Sequence, residues 1–256
     1  MSVEFAREGA VAIITLNRPE KLNAMTPEMY AEITRRLQEV DADDDIWVGI
    51  ITGAGTRAFS AGADLTTLHQ GEGGPGIQWH PLRQERFDMG LPVSKPLIAA
   101  IEGYCLAGGL ELALICDIRI AGEGARFGCP EVRWNVLHGY GALALPRLIG
   151  LSRAMYLLLT GEFVDAREAL HLGLVHEVVV QGEALARARI LAERICRNGP
   201  LAVRMTKELA LRSFEVPLAE GLRLYNEFRR LVHMSEDQAE GVRAFRERRE
   251  PRYRGR

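Results

Sequence analysis

Two short segments restrict the architecture of this chain more than any other feature. Trp47-Val48-Gly49-Ile50-Ile51-Thr52 and Pro96-Leu97-Ile98-Ala99-Ala100-Ile101 are apolar or small at nearly every position. Strict alternation would mark a strand with one wet face. A continuous run marks a strand covered on both faces. Val11-Ala12-Ile13-Ile14-Thr15-Leu16, bounded by Gly9 and by Asn17-Arg18-Pro19, adds a third run, and Asp117-Ile118-Arg119-Ile120-Ala121 a fourth. Helical patterns fall between them. Thr26 suits a cap, Pro27 the first helical position and Glu28 the positive end of the dipole; Met29, Ile33, Leu37 and Val40 then recur at helical spacing. Strands alternating with helices predict right-handed βαβ connections and a largely parallel sheet.

The character changes after about residue 140. Residues 143–159 and 165–172 read as helices and 174–179 as a short strand. Helical patterns then dominate 183–249, interrupted at Gly199-Pro200 and Val216-Pro217. The expected organisation is an α/β core over 1–195 and a helical region over 196–256, packed on the core or on a partner subunit. The segment 71–81 (GEGGPGIQWHP) lacks periodicity and reads as a mobile surface loop.

Several function classes are excluded early. Lys and Arg total 32 against 34 Asp and Glu, so no global charge points to nucleic acid or acidic membranes. No apolar run approaches the roughly 18 residues of a membrane helix, and the start goes straight into a strand pattern rather than a signal peptide. Cys105, Cys116, Cys129 and Cys196 form no CxxC pair, and a reducing compartment, the cytoplasm, is expected. There is no P-loop, no GxGxxG opening a helix and no GxSxG elbow. The six histidines show no ligand spacing, and His171 and His176 read as surface or packing residues; no metal is expected.

What remains is two small-residue turns, each between a buried strand and a helix: Phe59-Ser60-Ala61-Gly62-Ala63-Asp64 and Gly103-Tyr104-Cys105-Leu106-Ala107-Gly108-Gly109-Leu110-Glu111. Small residues admit a ligand close to the backbone, and amides at a helix start point outward. Facing each other, the turns would form a two-amide oxyanion hole; tight strand–helix packing accounts equally for either one alone. Glu111 lies in an otherwise apolar helix, and Glu131 follows Phe127-Gly128-Cys129-Pro130. Apolar surroundings disfavour the charged carboxylate and suit it to proton transfer near neutral pH. A solvated helix face for Glu111 and a helix-start acid for Glu131 are the plainer alternatives.

These residues resemble the enoyl-CoA hydratase/isomerase (crotonase) superfamily, and most closely its hydratases. The resemblance runs over nearly the whole chain. Its carriers are Asn17-Arg18-Pro19 with Leu22-Asn23-Ala24, then Ala58 to Leu65, Gly103 to Glu111 with Cys116-Asp117, and Phe127 to Glu131. Thr160-Gly161, Ala169, Gly173-Leu174-Val175, the segment 235–241, and Ala244-Phe245 complete it.

The resemblance implies a ClpP-like spiral of ββα units with a C-terminal helical trimerisation region, and a homotrimer or a hexamer built as a dimer of trimers. It implies that Ala61 and Gly108 donate amides to the thioester oxygen, and that Glu111 and Glu131 are the two catalytic glutamates. Leu22, Ala61, Gly62, Ala63, Asp64, Leu65 and Gly108 fall where the family holds substrate and CoA. Phe245 and Arg248 match positions that reach CoA, often from a neighbouring subunit; Arg248 stands where lysine is common. The implied reaction is reversible hydration of a 2-enoyl-CoA to a 3-hydroxyacyl-CoA, in fatty-acid or related acyl-CoA degradation. Glu111 would deprotonate water, Glu131 would protonate C2, and no cofactor is needed beyond the CoA of the substrate.

One segment departs from the family pattern: Val132-Arg133-Trp134-Asn135-Val136-Leu137-His138-Gly139-Tyr140-Gly141, where the family often has Gly near 135 and Pro at 138. Trp134, His138 and Gly139 are candidates for the acyl pocket. His138 is either a third acid–base group or a packing change. The rival reactions are double-bond isomerisation and thioester or dione hydrolysis. A different class is an RNA-binding protein on the same fold, since 243–256 carries seven arginines against Glu247 and Glu250. That tail lacks interleaved aromatics for base stacking, so nucleic acid is not the expected partner.

Overall fold

The computed structural model describes residues 1–68 and 86–256, so the 71–81 loop, His69 and His80 lie outside the described residues. In chain order the elements are β1 (Val3–Glu8), β2 (Val11–Leu16), α1 (Pro27–Ala42), β3 (Val48–Gly53), β4 (Ala58–Ser60), α2 (Leu65–Leu68), β5 (Leu97–Ile101), β6 (Tyr104–Leu106) and α3 (Gly108–Leu114). Then come β7 (Ile118–Gly122), β8 (Arg126–Gly128), α4 (Tyr140–Ile149), α5 (Leu151–Thr160), β9 (Phe163–Asp165), α6 (Ala166–Leu172) and β10 (Glu177–Val179). The chain ends with α7 (Ala184–Cys196), α8 (Pro200–Arg212), α9 (Leu218–His233) and α10 (Glu236–Glu247).

A six-stranded sheet runs β1-β2-β3-β5-β7-β10, with β1 antiparallel to β2 and the remaining neighbours parallel. A four-stranded sheet runs β4-β6-β8-β9, parallel except for β9. Each turn of the chain lays one strand in the large sheet, the next in the small sheet, and then a helix: β3-β4-α2, then β5-β6-α3. This is the ββα repeat that the resemblance implies.

The continuous apolar runs are explained by cover on both sides. Ile50, Ile98, Ala100 and Ile120 pack with Ala184, Ala188 and Ala192, a small-residue stripe along α7. Ile51, Ala99, Ile101 and Ala121 face the main core, with Met29, Ile33, Leu37 and Val40 of α1 and Leu110, Leu112 and Ala113 of α3. Burying each isoleucine contributes about 1.5–3 kcal/mol. The stripe is anchored by Glu102, whose Oε1 accepts from the Gly182 and Ala184 amides at 2.9 and 3.1 Å, at the start of α7. Buried Lys95 closes the other end of α1, donating to the Val40 and Asp43 carbonyls at 2.9 and 2.5 Å.

The helix expected over 143–159 is two helices, α4 and α5. Gly150 separates them at φ 82, a conformation that glycine adopts without steric cost. Of the three-residue strands of the small sheet, β4 and β6 fall at the two segments that read as small-residue turns, and β8 and β9 carry no strand expectation, because segments that short have no measurable periodicity.

Asn23 is the hinge pin of the N-terminal segment. It is fully buried at φ 53, accepts from the Arg18 amide at 2.9 Å, and donates to the Ala54 and Ala58 carbonyls at 3.1 and 2.7 Å. Replacing it by alanine leaves all three groups unpartnered. Asn23→Ala is expected to destabilise the fold by about 2–3 kcal/mol in urea unfolding; a loss under about 0.5 kcal/mol would show that water replaces these bonds.

Candidate active site

The two small-residue turns meet. Segments 18–25 and 58–64 first zip together: Met25 N–H donates to Gly62 O at 2.8 Å and Asp64 N–H to Met25 O at 2.9 Å, while the Ser60 hydroxyl donates to Asn23 O at 2.9 Å. Gly109 then sits directly on Ser60; a Cβ on it would lie 2.4 Å from the Ser60 carbonyl oxygen. Gly62, at φ 96, leaves room for the Gly108 amide and for the Ala107 methyl, which a Cβ would meet at 3.1 and 2.6 Å. Ala107 itself takes φ 52 and ψ −129, an uncommon conformation that turns the chain sharply into α3. Only glycine fits at 62 and 109, so the bare backbones are in contact.

The amides are not equivalent. Gly108 is the first residue of α3, where N–H groups lack intrahelical partners. Ala61 N–H donates to the Leu22 carbonyl at 3.0 Å. A hydroxyl that sequence reasoning missed stands beside them. A Cβ on Gly108 would lie 2.3 Å from the Tyr30 hydroxyl, whose ring stacks on Phe87 at 5.2 Å between centroids. Burial above all, with Glu111 adding to it, pushes the Tyr30 hydroxyl well above its ordinary value, so it stays protonated and able to donate. Tyr30 lies next to the buried Met29 on α1, and nothing in the helical periodicity separates a pocket-facing residue from a core one.

Both glutamates turn inward. Glu111 is 7% exposed, in a helix all of whose residues are buried. Its Oε1 accepts from the Gly141 amide at 3.2 Å. Gly139 admits the carboxylate; a Cβ there would lie 3.1 Å from Oε1. Glu131 comes from the 3-10 turn Pro130–Trp134, and its side chain is 11% exposed. His138 stands between them: Nδ1 lies 2.6 Å from Glu131 Oε1 and 3.4 Å from Glu111 Oε1. The approach to Glu131 is an ion-pair distance without hydrogen-bond alignment. Neither ring nitrogen, nor Glu131 Oε2, has a hydrogen-bond partner among the described residues. Burial raises the Glu111 carboxyl above its ordinary value, His138 and the Gly141 amide oppose the rise, and Glu131 adds to it.

Two polar anchors hold these pieces. Arg119 is buried and donates to the Leu174, Cys116 and Ala113 carbonyls at 2.7, 2.5 and 3.4 Å, fixing the C-terminal end of α3. Arg18 holds Asp64 at 3.1 Å and the Ala24 carbonyl at 2.8 Å. Leu22 sits in the left-handed region at φ 53, closing the turn Pro19–Lys21. Leu65 is exposed at the start of α2, beside Ala63 and Asp64.

The remaining sequence candidates are exposed. Trp134 is 67% exposed, as is its neighbourhood at Val136 and Leu137. Phe245 is 85% exposed, and Arg248 closes α10 at φ 53. The arginine tail folds back on α10. Glu240 takes Arg243 and Arg249, Arg256 meets Glu236, and Asp237 accepts from the Arg254 and Gly255 amides, each at 2.7 Å.

Residues 6–256 match the enoyl-CoA hydratase/isomerase family. The chain belongs to that family. Among its relatives, the (E)-benzylidenesuccinyl-CoA hydratase of Thauera aromatica is 39% identical over the full length of both chains. The short-chain-enoyl-CoA hydratase of Clostridium acetobutylicum is 36% identical, covering 97% of this chain and 95% of that protein. The crystal structure of the Bacillus anthracis enoyl-CoA hydratase superposes with a TM-score of 0.90 at 35% identity, covering both chains completely. The Mycobacterium tuberculosis enoyl-CoA hydratase gives 0.87 at 39% identity, covering 100% of this chain and 99% of that one. The spiral α/β architecture is therefore that of the hydratase/isomerase fold.

Burial of Glu111 has a thermodynamic signature. With its folded-state value above the unfolded one, the native state binds more protons between the two. Stability falls as pH rises through that window, and the full cost is present above it. Glu111→Gln, which keeps an acceptor for the Gly141 amide, is expected to melt at a higher temperature than the wild type at pH 8. Near pH 4, in the ordinary carboxylate range, that advantage should shrink or vanish. Melting curves at both pH values check this, and a variant less stable at pH 8 than at pH 4, relative to wild type, would refute it.

Proposed function

We propose that this protein is an enoyl-CoA hydratase, a lyase that reversibly adds water across the C2–C3 double bond of a 2-enoyl-CoA thioester to give a 3-hydroxyacyl-CoA. The observation that carries the assignment is the convergence of two buried carboxylates, Glu111 and Glu131, on one side chain beside the Gly108 turn. Water addition at C3 moves charge onto the thioester oxygen. A fixed amide aimed at that oxygen stabilises the enolate-like state by about 2.7–4 kcal/mol per donor. Gly108 supplies one, and Ala61 the second on exchanging the Leu22 carbonyl for the substrate oxygen. Glu111 takes the proton from water, its raised basicity suiting it to that step. Glu131 delivers a proton to C2.

No metal or redox group takes part in this scheme, and CoA enters as part of the substrate. Leu22, Gly62, Ala63, Asp64 and Leu65 border the CoA arm. Trp134 and Gly139 border the acyl group. Isomerisation would need only one proton-carrying group cycling between carbons, so the paired carboxylates favour hydration. The Thauera aromatica relative is named for an aryl-substituted acyl group. Tyr30, backed by the buried Phe87, gives this site aromatic surface too, so phenyl-substituted enoyl-CoAs belong in the test panel.

The site is also proposed to be completed by assembly. Helix α9 buries none of its residues, yet Leu218, Leu222 and Tyr225 recur along one face. A homotrimer, or a dimer of trimers, would cover that face and bring Phe245 and Arg248 to a neighbour's CoA. The cytoplasm suits four free cysteines, three of them buried, and acyl-CoA degradation is the process in which this reaction fits.

Water addition to crotonyl-CoA and longer or aryl enoyl-CoAs, followed by mass spectrometry, tests the reaction. A product of unchanged mass with a shifted double bond would overturn it. Glu111→Gln and Glu131→Gln are each expected to lower kcat by about 10²–10⁴-fold with KM within a few-fold; near-native turnover by either would remove that residue from the mechanism. Light scattering is expected to give three or six times the 28.4 kDa chain mass, and Leu222→Arg to lower it; a stable active monomer would contradict the assembly.

A further inference from the structure

His138 is the buried titratable group that hydration, as proposed above, leaves unused. Its side chain is 3% exposed, and Nδ1 is the atom that approaches both carboxylates, at 2.6 Å from Glu131 and 3.4 Å from Glu111. Its Nε2 edge lies against Gly141; a Cβ there would fall 2.3 Å away. That same residue's amide holds Glu111. Ring, glycine and both glutamates thus form one packed unit, so the imidazole cannot swing out to solvent without displacing it.

The chemistry supplies a task for such a group. After one hydration Glu111 has gained the proton of the attacking water, and Glu131 has lost one to C2. The next turnover needs the reverse arrangement. Both side chains are about a tenth exposed, which limits exchange with bulk water.

We propose that His138 is the proton-returning residue that resets the two glutamates. Nδ1 of the neutral ring takes the proton from Glu111, making a transient imidazolium, and releases it to Glu131 Oε1. Glu111 ends as the carboxylate and Glu131 as the acid, while Nε2 keeps its hydrogen throughout. Because His138 acts through the glutamates, it is a positioning residue for the pair as well. This inference rests on the roles given to Glu111 and Glu131.

Among the described residues, the other titratable groups around the cluster are few. Tyr30 faces it from α1, Asp88 and Arg86 from the turn Phe87–Met89 and its cap, and Cys129 from the residue before Pro130. Tyr140, the next ionisable side chain along, interacts instead with Arg119 and Arg147. Burial holds Cys129 and Tyr30 in their neutral forms at working pH, leaving Asp88 and Arg86 as an adjacent pair at 2.7 Å.

The test compares first and later turnovers of His138→Gln on a substrate that the wild type hydrates. The first turnover in rapid-quench is expected within about threefold of wild type, followed by a steady state slowed at least tenfold, with KM falling in proportion so that kcat/KM is kept. Added imidazole is expected to restore steady-state turnover to His138→Ala. A wild-type steady state in the variant, or a first turnover slowed as much as later ones, would overturn the proposal. Nitrogen-15 NMR of the wild-type ring gives a measure independent of any variant's folding: a neutral ring with hydrogen on Nε2 at the pH of maximal turnover is expected, and an imidazolium there would refute it. If the wild type hydrates no enoyl-CoA, or Glu111→Gln keeps full activity, the underlying reaction fails instead, and the two failures are told apart.

Discussion

Gly109 lies so close to Ser60 that a single methyl group on it would strike the carbonyl oxygen, and Gly62 stands in the same relation to the start of α3. Everything at the site follows from this contact between bare backbones. It sets the small sheet, strand by three-residue strand, against the long buried strands of the large one. It brings the first residue of α3 up against the hydroxyl of Tyr30. It also fixes where Glu111 emerges, one helical turn beyond Gly108, so the carboxylate's position is inherited from glycine packing and not chosen by the side chain.

Around that contact the fold tolerates polar groups that a core would otherwise reject. A guanidinium, an ammonium and several carboxyl groups are buried, and backbone meets much of their demand: Arg119 by three carbonyls, Lys95 by two, and Glu102 by two amides on one oxygen, its Oε2 having no partner among the described residues. The Glu111–His138–Glu131 group differs. Its members face one another with unmatched atoms remaining, and burial without complete satisfaction is the condition under which protons are exchanged readily.

Much of the fold could be read from the chain. The buried strands announced themselves by continuous apolar runs, and α1 by its cap and its spacing, because both patterns repeat often enough to be recognised. The resemblance supplied the spiral and the enzyme family. The strands of the small sheet were invisible, since three residues give no period, and the break at Gly150 was masked by leucines on both sides. At the site, the turns and both acids were picked out by composition: glycine where backbones touch, acid where all else is apolar. Tyr30 was not, because its role depends on which way α1 is rotated. The commitment of the Ala61 amide to Leu22 is a tertiary fact that no local pattern encodes. His138 was noticed only as a departure; that it would meet both glutamates required the 3-10 turn and the left-handed Asn135 to fold the segment back.

Ala107 is the one non-glycine residue in this seam with a positive φ, and its methyl occupies the volume that glycine leaves open at 62. A methyl can therefore be carried on one side of the seam only. These two positions, forty-five places apart in the chain, are bound to each other through the generations: the methyl at 107 persists only while 62 stays glycine, and 62 is held to glycine besides by its φ of 96.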